Sequence, residues 1–287
     1  MSKKLHLVSA NSNNEKGMEA FVKKAFTSLG YEVLCTDYRV MDKYEVETRI
    51  KYITDVDFLL TIKGERINPE SIFSCRVPTV LWGQDSIQAN NEMHFVIQTK
   101  APLFDIVYSF NNNELSFYKQ FNKNSFYLPL GADADIHKDI KVSNKTIEVG
   151  FIGSLNNNRI NMINYLLDKG IPVQYSHSQD KYAEIVSSTK ININCGITDS
   201  GYQMRVFEIL AMGGLLFTNA VRDENLFVDK EHLIYYNDFN HLYELICYYI
   251  DKPEEIERIA KAGQKEVMEK HLYIHRVKEI IDKVISL

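Results

Sequence analysis

What most limits the fold of this chain is an alternation. Short apolar runs rich in β-branched and aromatic residues are each followed by a stretch with helical periodicity. Leu5–Ser9 is the first run, and Ala10–Lys16 behind it is a small-polar loop. Met18, Phe21, Val22, Phe26 and Leu29 then fall on one face of an amphipathic helix. Gly30 predicts its end, and Tyr31–Thr36 reads as the second strand. The pattern continues through Asp57–Ile62, Thr79–Trp82, Asp105–Ser109 and Ser125–Leu128. Strands separated by helical crossovers predict βαβ units and a parallel sheet buried on both faces.

Gly131–Thr146 is polar, lacks periodicity and reads as a hinge or linker. The alternation then restarts, with strands expected at Glu148–Ile152, Val173–Tyr175, Ile191–Cys195, Leu215–Asn219 and Leu233–Tyr236. Helices are expected near Asn161–Asp168, Lys181–Ser188, Gln203–Met212 and Leu242–Ile250, then from Pro253, with a final one over His271–Ile285. The expected division is residues 1–132, a linker over 133–146, a second domain over 147–270, and a C-terminal helix over 271–287. Two doubly wound halves predict a ligand in the crevice between them, at the carboxyl ends of the strands.

Composition narrows the function. Of 287 residues 45% are hydrophobic, and the formal net charge of -5 comes without a Lys/Arg run. A chain that coats nucleic acid through phosphate contacts is therefore not expected. No apolar run approaches the roughly 20 residues of a membrane span, and the N-terminus turns polar too soon for a signal peptide. Cys35, Cys75, Cys195 and Cys247 are scattered and read as reduced thiols, so the expected setting is cytoplasmic.

The strongest local signal is Asp199–Asn219, a loop, a short helix, a Gly-Gly break and a buried strand. Arg205 and Glu208 stand three apart and share a helical face near the N-terminal end. A helix N-terminus favours phosphate, an arginine adds a bidentate grip, and a carboxylate one turn on suits a pair of sugar hydroxyls. The alternative is that the two side chains pair with each other, worth a few tenths of a kcal/mol. A second signal is Val149–Arg159, where a strand runs into Gly153-Ser154 and Arg159 opens a helix. Glycine lets backbone approach a pyrophosphate closely. The matching loop of the first half, Ser9–Gly17, lacks GxGxxG, though Ser12 or Asn13 there could touch an acceptor. Asp85, in the Trp82–Asp85 strand end, is a candidate general base, with His94 nearby as a second. Asp133-Ala134-Asp135 and Asp55-Val56-Asp57 look like metal-binding DxD pairs, but one lies in the linker and one enters a buried strand. Paired-histidine zinc motifs, GxSxG and P-loop signatures are missing.

The run Arg205–Asn219, RVFEILAMGGLLFTN, resembles the nucleotide-sugar site of GT-B glycosyltransferases, closest to the CgeB-type (spore maturation protein) branch of the group-1-like transferases. TVLWGQDS, FDIVYSF, FYLPLGADADIHK, VGFIGSLNNNR and KAGQKEVMEKHLYIHRV fit that branch in order. The resemblance spans essentially the whole chain. It implies an α/β GT-B fold of two Rossmann-like domains about a central cleft, with the C-terminal helix crossing back to the first. It implies a nucleotide-diphosphate sugar donor, UDP-linked by family habit, no other cofactor and no metal. Glu208 would bind the donor ribose, Arg205 and Arg159 would face the diphosphate, and Gly153 and Ser154 would form the turn beneath. Tyr202 completes the donor-binding set. One departure is plain: the E-x7-E pattern of many retaining relatives has Ser200 at its first position, with Asp199 the nearest carboxylate.

The expected activity is a hexosyl-type transfer from that donor to an acceptor, whether protein, glycan or small molecule. Negative charge develops on the leaving phosphate, and without a divalent ion arginines and a helix N-terminus must stabilise it. An inverting route needs a base, for which Asp85 is the candidate, whereas in a retaining route Asp85 would position the acceptor. Two other functions fit the same fold: a nucleotide-sugar epimerase or hydrolase, and a catalytically silent nucleotide sensor.

Overall fold

The computed structural model describes residues 3–10, 16–88, 90–142, 144–178, 181–196, 201–219 and 225–287. In it the apolar runs form two sheets, and every strand pair in both is parallel. The first half contributes β1 (Lys3–Ser9), α1 (Met18–Ser28), β2 (Tyr31–Asp37), α2 (Lys43–Tyr52), β3 (Phe58–Ile62), α3 (Pro69–Phe73), β4 (Thr79–Gly83), α4 (Asn91–Thr99), β5 (Ile106–Ser109), α5 (Leu115–Phe121) and β6 (Ser125–Tyr127). Its strands lie in the order β2-β1-β3-β4-β5-β6. Helices cover both faces, so β3, β4 and β5 are buried along their whole length, as unbroken apolar runs require.

The second half follows with β7 (Ile147–Ile152), α6 (Asn157–Asp168), β8 (Val173–Ser176), α7 (Tyr182–Ser188), β9 (Thr189–Asn194), α8 (Met204–Ala211), β10 (Leu216–Asn219), β11 (Ile234–Tyr236), α9 (Phe239–Tyr249), α10 (Pro253–Lys270) and α11 (Tyr273–Ile285). Its sheet order is β11-β10-β9-β7-β8. Phe151, Ile191, Ile193, Phe217 and Ile234 form the centre of a core that Met162, Leu242, Ile246 and Ile259 close from the helices.

The elements end where local chemistry ends them. Gly30, at a φ of 84°, turns the chain out of α1 into β2. The Asn156 side chain accepts the Arg159 N–H at 3.0 Å, so α6 starts at Asn157, a turn before the expected Asn161. Asp238 caps α9 through the His241 N–H and brings its start forward to Phe239. His271 closes α10 instead of opening the last helix.

Two compact units emerge. Residues 1–130 with Tyr273–Leu287 make the first, and Gly131–Leu272 the second. The terminal helix α11 thus belongs to the first unit: Tyr273 lies 5.8 Å from Phe21 of α1 and 6.4 Å from Trp82, and Arg276 Nε donates to the Leu130 carbonyl. The 133–146 stretch, expected as a linker, falls within the second unit. Its Asp133 carboxylate accepts the N–H groups of Asp135 and Ile136, a turn that returns His137 to the interior. No helix among the described residues is long and apolar enough to cross a membrane.

Candidate functional site

The chain leaves β7 for β8 on one flank and comes back to β9 on the other. Gly153 and Cys195 therefore end two neighbouring strands at the point where strand order reverses, the usual place for a ligand in an open α/β sheet. Arg159, in the first turn of α6, reaches across this point. Its Nε donates to the Cys195 carbonyl at 3.1 Å, Nη1 to the Ser154 carbonyl at 2.8 Å and hydroxyl at 3.3 Å, and Nη2 to Gln203 Oε1 at 3.1 Å. All these partners are neutral oxygens, so they fix the guanidinium without cancelling its charge. Burial first, then the neighbouring Arg205 charge, lowers the Arg159 pKa from its usual value.

Arg205 comes from α8 and lies over the same turn. A Cβ on Gly153 would meet Arg205 Nη2 at 1.9 Å, and Gly153 holds a φ of 135°. Glycine is needed there on both counts. The two guanidinium carbons stand 5.7 Å and 5.3 Å from the centre of the Phe151 ring, a shared aromatic support. Arg205 Nη1 donates to Asn194 Oδ1 at 3.0 Å. Neither arginine forms an ion pair with any described residue, so among these residues two cations sit together without an anionic partner. Gln203, the N-cap of α8, makes no capping bond with its side chain, whose oxygen serves Arg159 instead.

Glu208 does not pair with Arg205. Its Oε1 lies 3.3 Å from His137 Nε2, and its Oε2 accepts the Tyr182 hydroxyl at 2.9 Å. His137 Nδ1 accepts the Asp133 N–H at 3.0 Å, so the ring proton resides on Nε2 and points at the carboxylate. Burial, then the Glu208 charge, raises the Tyr182 phenol well above its usual range, which keeps it a donor. Each Glu208 oxygen has one protein donor and retains acceptor capacity for a hydroxyl. His137, Tyr182, Asn194, Gln203 and Phe151 were not among the expected site residues. His137 stands in a stretch without periodicity and Tyr182 heads a different helix, so only the folded arrangement, not local pattern, brings them to Glu208.

Tyr202 is 1% exposed, its hydroxyl joined to that of Tyr235 and its ring set edge-on to Phe207 and Phe227. That is a packing position behind α8, with no open face for a donor. Ser12, Asn13, Asp199 and Ser200 lie outside the described residues.

In the first unit, Asp85 follows β4 and its Oδ2 is 2.9 Å from Lys63 Nζ and 3.3 Å from Asn90 Nδ2. Lys63 follows β3 with a φ of 64°, a left-handed conformation uncommon for a side-chain-bearing residue. His94 lies on α4 with its ring 4.8 Å from that of Phe117. Among the described residues no hydrogen bond or ion pair joins it to Asp85. No group of three or more His, Cys, Asp or Glu able to hold a metal occurs among the described residues.

Residues 143–282 match the family model described as glycosyl transferase-like. No curated protein sequence matches the chain. Among solved structures, Anabaena HepE in complex with UDP-glucose is similar at 10% identity and a TM-score of 0.74, over 99% of this chain and 100% of that one. An α-glucosyltransferase in complex with UDP-glucose and DNA containing an abasic site is 12% identical at a TM-score of 0.73, over 99% and 100%. Sucrose-phosphate synthase from Thermosynechococcus elongatus is 10% identical at a TM-score of 0.69, over 99% of each chain. The fold is GT-B, built on two parallel α/β sheets.

Proposed function

We propose that the protein is a glycosyltransferase that takes a hexosyl group from a nucleotide-diphosphate sugar, most simply a UDP-sugar. The observation that carries this reading is the pair Arg159 and Arg205, side by side over Phe151 and without an anionic partner among the described residues, with the Glu208 carboxylate one helical turn on. Two adjacent cations at a strand switch point match a diphosphate, and the nearby carboxylate matches the vicinal hydroxyls of a ribose. The glycosyl transferase-like match over 143–282 covers these residues, and two similar structures were solved with UDP-glucose.

In this reading cleavage of the anomeric C–O bond leaves negative charge on the departing phosphate. Arg205 has the freer N–H groups and would contact it directly. Arg159, held by four neutral oxygen contacts, would supply fixed positive potential. This arrangement does the charge work assigned elsewhere to a divalent ion, so transfer would be metal-independent. The Lys63 ion pair matches the Asp85 charge and favours a positioning role for that carboxylate over proton abstraction. The CgeB-type branch and a cytoplasmic setting remain part of the proposal through the sequence resemblance.

Isothermal titration with UDP, UDP-glucose and UDP-N-acetylglucosamine is the direct test. Binding of at least one, unchanged by EDTA and weakened about tenfold or more by Glu208→Ala, is the expected result. Silence from all three at millimolar concentration would refute it. Donor breakdown without acceptor, followed by NMR, would instead indicate the epimerase or hydrolase.

A further inference from the structure

Glu208 projects from α8, but the two groups that hold its carboxylate come from elsewhere. His137 ends the turn over Asp133–His137, and Tyr182 opens α7. The turn is built to aim the imidazole. The Asp133 side chain accepts the N–H groups of Asp135 and Ile136, and its carbonyl accepts that of His137 at 2.8 Å. The Asp133 N–H in return goes to His137 Nδ1 at 3.0 Å. Nδ1 can accept it only without a hydrogen of its own, so the ring hydrogen lies on Nε2, 3.3 Å from Glu208 Oε1.

The segment beyond His137 is tied to the helix that carries Tyr182. The Ile140 N–H donates to the Ser187 hydroxyl of α7 at 3.2 Å, and Lys145 Nζ to the Thr189 carbonyl at 2.9 Å, where α7 gives way to β9. The His137 and Tyr182 rings stand 6.3 Å apart, edge to face. The two donors therefore sit on one joined frame, to which α8 brings Glu208.

A glutamate has several rotatable bonds, and a ligand that must order them loses affinity to that ordering. A donor at one oxygen would still let the carboxylate plane turn, whereas donors at both oxygens fix it. Each oxygen then keeps lone-pair capacity in a set direction, side by side, as two adjacent hydroxyls require. Glu208 is only 7% exposed, which limits competition from water.

We propose that His137 and Tyr182 are positioning residues that orient Glu208 toward the ribose, so that preference for a ribonucleotide over its deoxy analogues depends on both. The assignment rests on the donor reading above. In it neither side chain touches the nucleotide; both act through the carboxylate.

The test is isothermal titration of the full chain, and of its His137→Ala and Tyr182→Phe variants, with UDP, 2′-deoxy-UDP and 3′-deoxy-UDP. The unaltered protein should bind UDP about tenfold or more tightly than either deoxy nucleotide. In each variant that ratio should fall to about threefold or less through weaker UDP binding, with affinity for the deoxy nucleotides held within about twofold. A residue that merely supports the fold would weaken all the nucleotides together and leave the ratio intact. Tyr182→Phe removes only the hydroxyl and keeps the ring, so it answers even where His137→Ala fails to fold. His137→Gln, which restores an N–H donor, should recover part of the ratio. An unchanged ratio in Tyr182→Phe, or in a folded His137→Ala, with UDP still preferred by the unaltered protein, overturns the proposal and leaves the donor reading standing. UDP bound no better than its deoxy analogues overturns the ribose role of Glu208 and this proposal with it, and no UDP binding at all removes the donor reading as well.

Discussion

Gly153 shows how one missing methyl group can set a charge. The Arg205 guanidinium occupies the space a Cβ would fill, and the φ of 135° is one that side-chain-bearing residues rarely adopt. Gly153→Ala must either push Arg205 off the turn or bend the turn itself. Loss of one charge-assisted contact is worth about 1.5–3 kcal/mol, so UDP affinity measured by titration calorimetry should fall roughly tenfold to a hundredfold. His6 gives a prediction of a different kind. It is 2% exposed in β1, shares a hydrogen bond of 2.8 Å with Thr36, and leaves Nδ1 buried without a partner among the described residues. Burial, helped by the Arg49 charge, lowers its pKa from 6.5 to about 4. The folded protein therefore keeps His6 neutral where the unfolded chain would protonate it. Stability from this site is full above pH 6.5 and is lost as pH falls toward about 4. A shift of that size corresponds to about 3 kcal/mol. Chemical denaturation across that range should show the acid slope flatten in His6→Gln; an unchanged slope would contradict the assignment.

At the scale of elements, α10 is held close by a residue that helices ordinarily disfavour. A Cβ on Gly263 would meet the His232 carbonyl oxygen at 2.2 Å and Leu210 Cδ2 at 2.9 Å. Gly263→Ala should therefore destabilise the protein by about 1–3 kcal/mol despite the better helix propensity of alanine, seen as a lower melting temperature. The elements were also the most legible part of the sequence. Parallel strands covered on both faces are continuous apolar runs, so all the expected strands formed, with ends moved by a residue or two. Side-chain caps, not hydrophobic period, moved the helix starts: Asn156 and Asp238 extend α6 and α9 backward. The site was legible only where its residues are neighbours in sequence. Arg205, Glu208, Gly153 and Arg159 stood out by spacing, whereas the Lys63 partner of Asp85 and the His137 and Tyr182 partners of Glu208 come from distant segments. Contacts that only the sheet order creates leave no local periodicity to read.

On the scale of the whole molecule, the chain begins and ends in the same unit, and the other lies between. The second unit contains every residue of the proposed donor site. A fragment spanning Gly131–Leu272 should fold and bind UDP with affinity near that of the full chain, measurable by the same titration. A fragment that folds by circular dichroism yet ignores UDP would show this expectation to be mistaken. Its two ends are already neighbours: Ala132 bridges to Leu272, and the Ala132 N–H donates to the His271 carbonyl at 3.0 Å. The first unit is sealed in a comparable way, where Arg276 Nε holds the Leu130 carbonyl at 3.1 Å. Entry and exit through one backbone rung turn the half that holds the proposed donor site into a cassette. Recombination at that rung would exchange sugar-nucleotide preference between chains through a single pair of splice points, with the ladder of the recipient sheet left uncut.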